Sequence, residues 1–417
     1  MKSSKKKFKN FKSFFVVGHY LTPVLRKTII EIIKESKKYL EDSELILIYW
    51  WPGIERSQLS KEASKSGIVV HEIWMAGPIN QAKIHGWYKN LKHYIKTNIK
   101  AFLKIQKIFK KNSKFSCALT IFHTPWYAEL LTLLAARPRA LAVKFFTSTE
   151  PFVPVHKKIA FALNSIFLNR LVVNSNEAKK FAMSLGHIFS KISIMRNIDV
   201  VARQFNKYKS DGNVVRKEFN IDKKAILIGS VSRLDPIKGH KTLIECWKKV
   251  QQKIPKSRLL IVGGSIYGEK DPYLIELKKI VKKNNLENSI KFAGLRENVN
   301  DFYAATDILV HPSIFDLFPF TILEAQSMKI PIVSTKVGTI PEMISDGKEG
   351  ILVEKENEHE LADAIIKLIK NKNERKIMGE NGYKRNTKTW TAERAAKSCI
   401  NLYNDVIERK WTEDYEC

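Results

Sequence analysis

Two carboxylates and two cations in the second half of the chain have the types and spacing to handle an anionic ligand. Asp316 stands in the stretch SIFDLFPFTILEAQSM, and Glu324 follows it eight positions later. Before Asp316 comes an apolar run at 308–310, closed by His311-Pro312; this is the pattern of a short buried strand ending in a breaker. Glu324 lies among strong helix formers with no Gly or Pro, so it belongs to the first turns of the helix that the loop feeds. A helix start presents unpaired backbone N–H groups and a partial positive charge, which suits a phosphate. Upstream, Arg233 and Lys238 lie in the turn SRLDPIKGH. A guanidinium offers a forked donor set and an ammonium a point charge, and both complement phosphate oxygens. The plainer readings are helix-capping or surface roles for the acids and solvent-facing flanks of a turn for the cations.

These residues need a scaffold of strands and helices. After Glu324 comes a second short strand at 330–335. Then VGTIPE enters another helix, with Pro341 at a suitable first position. Strand, acid loop, helix, strand, glycine loop, helix is the order of successive βα units, in which ligands bind at the carboxyl ends of the strands. Further strands are expected at 225–231, 259–264 and 290–295, with helices at 241–250 and 298–305. In the first half, strands are expected at 14–18, 45–50, 67–70, 117–122, 142–146 and 170–174. A helix over 23–40 has Leu25, Ile29, Ile32 and Ile33 on one face. This alternation predicts α/β architecture with two parallel sheets covered by helices. The final helices are expected at 358–369 and 392–407.

The ordered string Asp316-x7-Glu324, Glu324-Ala325, Pro331, Gly338, Pro341-Glu342, Asp346-Gly347 and Gly350 resembles the Glu-x7-Glu region of the retaining family 4 glycosyltransferases (glycosyl transferases group 1). Arg233-Leu234 and Lys238-Gly239 resemble that family's Gly-Arg-Leu-x-x-x-Lys-Gly loop. The resemblance implies a GT-B fold: two Rossmann-like doubly wound domains facing a cleft, with the C-terminal helix crossing back. It implies an N-terminal acceptor domain over 13–205, a donor-nucleotide domain over 224–390 and a returning helix over 391–417; by composition, the basic start reads as a disordered arm over 1–12 and the polar run from Asn206 to Asn213 marks a linker, set at 206–223. By the same resemblance, Arg233 and Lys238 stabilise the departing diphosphate without a bound metal or any other cofactor. Backbone N–H groups around Phe320, Thr321 and Ile322 meet that diphosphate. Glu324 holds the ribose, Leu295 borders the base, and Asp316, one methylene shorter than the usual Glu, is the catalytic residue that orients the donor sugar's hydroxyls. His123 and Glu150 are further substrate candidates. Two positions depart from the family pattern: the loop after the first strand, His19 to Pro23, lacks a Gly-Gly pair, and Phe146 stands where a His is usual. The function implied is transfer of a sugar, with retained configuration, from a nucleotide-diphosphate sugar to a hydroxyl of a glycolipid or surface-polysaccharide precursor. A non-catalytic nucleotide-sugar-binding scaffold on the same fold is the alternative. A nucleotide-sugar epimerase is a third reading, which the arginine-lysine loop and acid pair disfavour.

Composition bounds the partners. The chain has 417 residues, 44% of them hydrophobic, enough for two full cores. Its net charge of +30 favours anionic partners. Cys117, Cys246, Cys399 and Cys417 show no CxxC spacing, as expected of reduced thiols rather than a disulfide framework or a zinc site. No apolar run is long enough to span a bilayer, and the basic start runs into a short strand where a signal peptide needs a longer apolar region. Residues 73–128 contain no Asp or Glu. Within them nine lysines over 83–111 alternate with aromatic and aliphatic residues, the composition of an interfacial amphipathic helix. A cytoplasmic protein held peripherally on an anionic membrane face is the expectation. An ordinary solvated lysine-rich face is the competing one, and nucleic-acid binding is disfavoured because no motif for it is present.

Overall fold

The computed structural model describes residues 11–18, 23–40, 42–49, 58–76, 87–110, 117–122, 126–137, 140–145, 153, 155–196, 205–206, 209–264, 271–296, 298–410 and 412. The chain divides into two compact units, one of residues 1–199 with 392–417 and one of residues 200–391.

The first unit is built on β1 (Lys12–Gly18), α1 (Pro23–Ser36), β2 (Asp42–Tyr49), α2 (Gln58–Lys65), β3 (Val70–Trp74), α3 (Trp87–Lys110), β4 (Cys117–Phe122), α4 (Trp126–Ala136), β5 (Ala140–Phe145), α5 (Val155–Phe167), β6 (Arg170–Val173), α6 (Asn176–Ser184) and β7 (Ile192–Ile194). The sheet order is β3-β2-β1-β4-β5-β6-β7 and every pairing is parallel. Apolar strands such as LILI in β2, buried throughout, are what a sheet covered on both faces demands. Right-handed crossovers place α3, α4 and α5, which pack in that order, on one face.

The second unit contains α7 (Gly212–Glu218), β8 (Leu227–Val231), α8 (His240–Lys253), β9 (Arg258–Val262), α9 (Pro272–Lys283), β10 (Ile290–Gly294), α10 (Val299–Ala305), β11 (Ile308–His311), α11 (Phe320–Ser327), β12 (Ile332–Thr335), α12 (Ile340–Met343), β13 (Gly350–Val353), α13 (Glu358–Lys370) and α14 (Lys372–Thr389). Its sheet is again all parallel, in the order β10-β9-β8-β11-β12-β13. The chain winds outward one way from β8 and the other way from β11, so the topological switch point lies between those two strands, where open α/β sheets bind ligands. Its main core gathers Trp247, Leu243, Ile261, Val310 and Ile365 from α8, β9, β11 and α13.

The last helix, α15 (Ala392–Ile407), returns to the first unit. It packs on α1, buries Ala395, Cys399 and Leu402, and places the Tyr403 hydroxyl 2.5 Å from Thr120 Oγ1 and 3.3 Å from Ser13 Oγ.

Three expectations are corrected. The third strand runs over Val70–Trp74 rather than 67–70, because Gly67 takes φ +70 and ends the turn after α2. The segment 206–223 is not a bare linker: α7 lies in it, capped by the Asp211 side chain, with Val215 buried against Leu227 and Phe302. The basic arm is shorter than 1–12 at its inner end, since Phe11 is buried and β1 begins at Lys12; residues 1–10 lie outside the described ones.

Candidate active site

The loop after β8 is shaped to present a lysine. Asp235 accepts from Ile237 N at 3.2 Å, and with Pro236 at its first position it caps a single 3₁₀ turn over Pro236–Lys238. Gly239 then adopts φ +69 and passes so close to the next loop that a Cβ there would lie 1.9 Å from the Pro312 carbonyl oxygen. The loop after β11 is tied to it by backbone bonds from Ile314 and Phe315 to the Ile237 carbonyl, at 2.8 and 3.3 Å. The glycine loop after β12 clamps the same stretch from the other side. Thr335 and Thr339 hydroxyls donate to the Ser313 and Leu317 carbonyls, at 2.6 and 2.7 Å. Gly338, at φ +53, leaves room for the Asp316 carbonyl, which a Cβ would approach to 1.6 Å. Three loops from adjacent strands therefore fix one another. Gly338→Ala is expected to force the acid loop out of place and to cost about 2–4 kcal/mol of stability, through strain and displaced backbone. A denaturant midpoint equal to wild type would contradict this clamp.

Within this frame Lys238 Nζ lies 2.6 Å from Asp316 Oδ2, and His311 Nε2 lies 3.1 Å from the same oxygen. Ser313 Oγ is 2.9 Å from His311 Nε2, and Thr321 Oγ1, on the first turn of α11, is 3.2 Å from His311 Nδ1. The ionised Asp316 carboxylate can only accept, so His311 Nε2–H donates to it. Asp316, His311 and Ser313 are all buried. Burial pushes the Asp316 carboxyl up, but the His311 hydrogen bond and the Lys238 charge outweigh it and hold the group at about 2. Behind the lysine loop, His240 Nε2 meets Ser232 Oγ at 3.0 Å. Burial, with the nearby His311 and Lys238 charges, drives His240 down to about 3, so it is neutral.

Glu324 sits one helical turn into α11. Its Oε2 accepts from the Tyr303 hydroxyl at 2.5 Å, both side chains being buried. The Tyr303 ring is braced edge-on by Phe205, centroids 5.5 Å apart. Burial raises the Glu324 carboxyl to about 7, with the Tyr303 hydrogen bond opposing. Tyr303 in turn is raised well above the usual phenol by burial and by Glu324. Removing the hydroxyl in Tyr303→Phe is therefore expected to push Glu324 further up. Any ligand that needs the carboxylate should then bind several-fold more weakly at pH 7 and recover toward pH 9. A pH profile of affinity unchanged from wild type would sink this coupling.

The structure thus brings together Lys238, Asp316, Thr321 and Glu324 on the loops and helix that flank the switch point. Arg233 is also on the β8 loop, but its side chain is 61% exposed and pairs with Asp235 at 3.5 Å. Asp316 is turned inward onto Lys238 and His311. One expectation about α11 is corrected: Ile322 N–H is already used by the Pro319 carbonyl at 3.1 Å and its side chain is core. Leu295 follows β10 and is 85% exposed. His123 and Glu150 lie outside the described residues, as does Phe146. Sequence reasoning missed His311, taken only as a strand terminator, and Tyr303; the first carried a signal in being a histidine beside an acid loop, the second none. Among the described residues, no group of three or more His, Cys, Asp or Glu side chains is placed to hold a metal ion.

Residues 212–385 match the family model described as glycosyl transferases group 1. Among relatives, the chain is 26% identical over 200 residues to N-acetyl-alpha-D-glucosaminyl L-malate synthase of Bacillus anthracis, covering 48% of this chain and 51% of that one. It spans about half the length of the first curated relatives it matches. Solved structures align almost throughout. A glycosyltransferase from Rickettsia africae ESF-5 superposes with a TM-score of 0.74 at 19% identity, over 97% of this chain and 100% of that one. Anabaena Alr3699/HepE in complex with UDP and glucose gives 0.71 at 18%, over 94% and 99%. The chain therefore has the GT-B fold, and its residues 212–385 match the glycosyl transferases group 1.

Proposed function

We propose that the protein is a retaining glycosyltransferase that moves a sugar from a nucleotide-diphosphate sugar to a hydroxyl acceptor. The observation that carries this is the Lys238–Asp316–His311 cluster, held at the switch point beside the start of α11 and one turn from Glu324. In this reading Glu324 accepts from the ribose hydroxyls through the oxygen that Tyr303 does not use. The diphosphate lies between Lys238, Arg233 and the N–H groups at the start of α11. As the bond from the anomeric carbon to the diphosphate breaks, negative charge builds on the departing oxygens; Lys238, already in place, stabilises it without reorganisation. The acceptor oxygen forms its bond on the face the diphosphate leaves, and its proton passes to the departing phosphate. Asp316 acts here by fixing Lys238, and its own contact to the sugar runs through that pair. Side chains and backbone supply the positive charge in this scheme, so no metal is assigned to it. That HepE has been crystallised with UDP-glucose supports a nucleotide-sugar donor for this fold.

A glycolipid or surface-polysaccharide precursor as acceptor, on the cytoplasmic face of an anionic membrane, fits the basic first unit. No helix among the described residues is long and apolar enough to cross a membrane. Helix α3 instead exposes Lys96, Lys100, Lys104, Lys107 and Lys110, and each lysine near an anionic surface contributes about 1 kcal/mol of attraction, weakened by salt.

The test is product analysis. Incubation with a panel of nucleotide sugars and lipid-linked or free sugar acceptors should yield a glycoside with the donor's anomeric configuration by NMR. An inverted product would overturn the retaining mechanism. Binding of a donor with no transfer to any acceptor would favour the non-catalytic scaffold.

A further inference from the structure

Helix α5 has a pattern that neither the donor site nor the α3 reading uses. Val155, Ile159, Leu163 and Ile166 recur at spacings of four, four and three, so they form one stripe along the helix. All four face solvent, at 72%, 57%, 46% and 53% exposure, while Ala160, Asn164 and Ser165 turn inward. The turn before β7 extends the stripe: Ile188 donates its N–H to Ser165 Oγ at 3.1 Å, and the Phe189 side chain next to it is half exposed. The same helix layer carries a second stripe on α3, Ile95, Ile99 and Leu103, at 49–55% exposure. Exposed aliphatic rows on two helices of one layer are more than scattered surface apolar residues.

The charge around these rows says what covers them. From Ile73 to Asn176 the sequence holds two acids, Glu129 and Glu150. Glu129 is wholly buried against Lys144, 2.7 Å away, and Glu150 lies outside the described residues. Across α3, α4 and α5 the described outer surface therefore carries exposed lysines, Lys158 on α5 among them, and no exposed carboxylate; between there and Phe189 the described acid is Glu177 at the start of α6, which is paired with Lys180 at 2.7 Å. A second copy of the chain docking face to face would set like charges against each other, and aliphatic rows offer no stacking surface for nucleic-acid bases. An anionic bilayer satisfies both features, with headgroups for the lysines and acyl chains for the aliphatic rows.

We infer that α5 is a second interfacial element: its Val155–Ile166 stripe inserts at the headgroup–acyl boundary of an anionic membrane, alongside the basic face of α3. This rests on the membrane reading of α3 for its electrostatic half, and adds an apolar half that salt does not screen. The experiment is co-sedimentation with vesicles of phosphatidylcholine and phosphatidylglycerol, at low salt and at 0.5 M salt. Three forms are compared: wild type, Ile159→Glu/Leu163→Glu, and Lys96→Gln/Lys100→Gln/Lys107→Gln. All substituted side chains are exposed, and unchanged thermal midpoints confirm folding. Wild type should keep a salt-resistant fraction of its binding. The glutamate variant should lose that fraction and partition at least tenfold less, and the glutamine variant should lose mainly the salt-sensitive part. Wild-type partitioning by the glutamate variant would overturn the role of α5 while leaving α3 intact. No sedimentation of wild type at low salt would overturn both. A concentration-dependent dimer of wild type that the glutamate variant abolishes, with no vesicle binding, would reassign the face to self-association.

Discussion

Lys238→Ala is expected to lower turnover by about two to three orders of magnitude, the scale seen when one preorganised donor to a developing negative charge is removed. Its side chain is already fixed 2.6 Å from Asp316 at the switch point, so its charge is in position before any bond breaks. The same substitution should also destabilise the fold by about 3 kcal/mol, because it leaves the buried Asp316 carboxylate with His311 alone. The pH dependence separates the two effects. With its carboxyl at about 2 against an ordinary 3.8, Asp316 contributes about 2 kcal/mol of stability. That contribution is complete above the unfolded value and lost as pH falls through the folded one. Wild type should therefore lose it between about pH 4 and pH 2, and Lys238→Ala should lose most of it already at neutral pH. Full turnover by Lys238→Ala would remove the phosphate-stabilising role; an unchanged acid limb would remove the ion pair.

Glu324→Gln should make the protein more stable and worse at binding nucleotide. A carboxyl raised from 4.5 to about 7 by burial costs the fold nothing below the unfolded value, where both states are protonated. The cost grows as pH rises from 4.5 to 7 and is complete above that, at about 3 kcal/mol. The amide keeps an oxygen for the Tyr303 hydroxyl and never ionises. The variant should therefore gain up to about 3 kcal/mol at pH 8 by chemical denaturation and nothing at pH 4.5. Losing the hydrogen bonds from a charged acceptor to the ribose, at about 1.5–3 kcal/mol, should weaken nucleoside diphosphate binding roughly tenfold to a hundredfold at pH 8. A variant no more stable than wild type at pH 8 would mean that Glu324 is not a buried carboxylate in the free protein. Unchanged affinity would mean that it does not hold the nucleotide.

Much of the second unit is legible in the sequence because its strands are short apolar runs closed by Gly, Pro or acid loops. The β8 and β11 loops fall where the SRLDPIKGH and SIFDLFPF stretches put them, and Gly239 and Gly338 stand where backbones cross. Side-chain partnership is not legible. Lys238 and Asp316 are 78 positions apart, and nothing local says that the acid turns inward to a lysine and a histidine. Tyr303 gives no local sign of its bond to Glu324, 21 positions away. Helix α14 escaped notice for a different reason. It is polar almost all round and contains Gly379 and Gly382, which weaken helix propensity. The structure shows why they are there: a Cβ at Gly379 would lie 2.1 Å from the Lys329 carbonyl, so the helix lies against the end of α11 only because that side chain is missing. α7 was hidden similarly, in a polar run whose one buried contact is Val215.

The most direct measurement of the central claim is thermal stability against a panel of nucleoside diphosphates and their sugar conjugates, run in parallel on wild type and Lys238→Ala. A ligand at one hundred times its dissociation constant stabilises the folded state by about 2.7 kcal/mol. The expected result is a rise in midpoint with one conjugate and its parent diphosphate, greatly reduced in Lys238→Ala. A rise of equal size in both proteins would place the ligand away from this lysine, and no rise with any conjugate would contradict a donor site at the β8–β11 switch point.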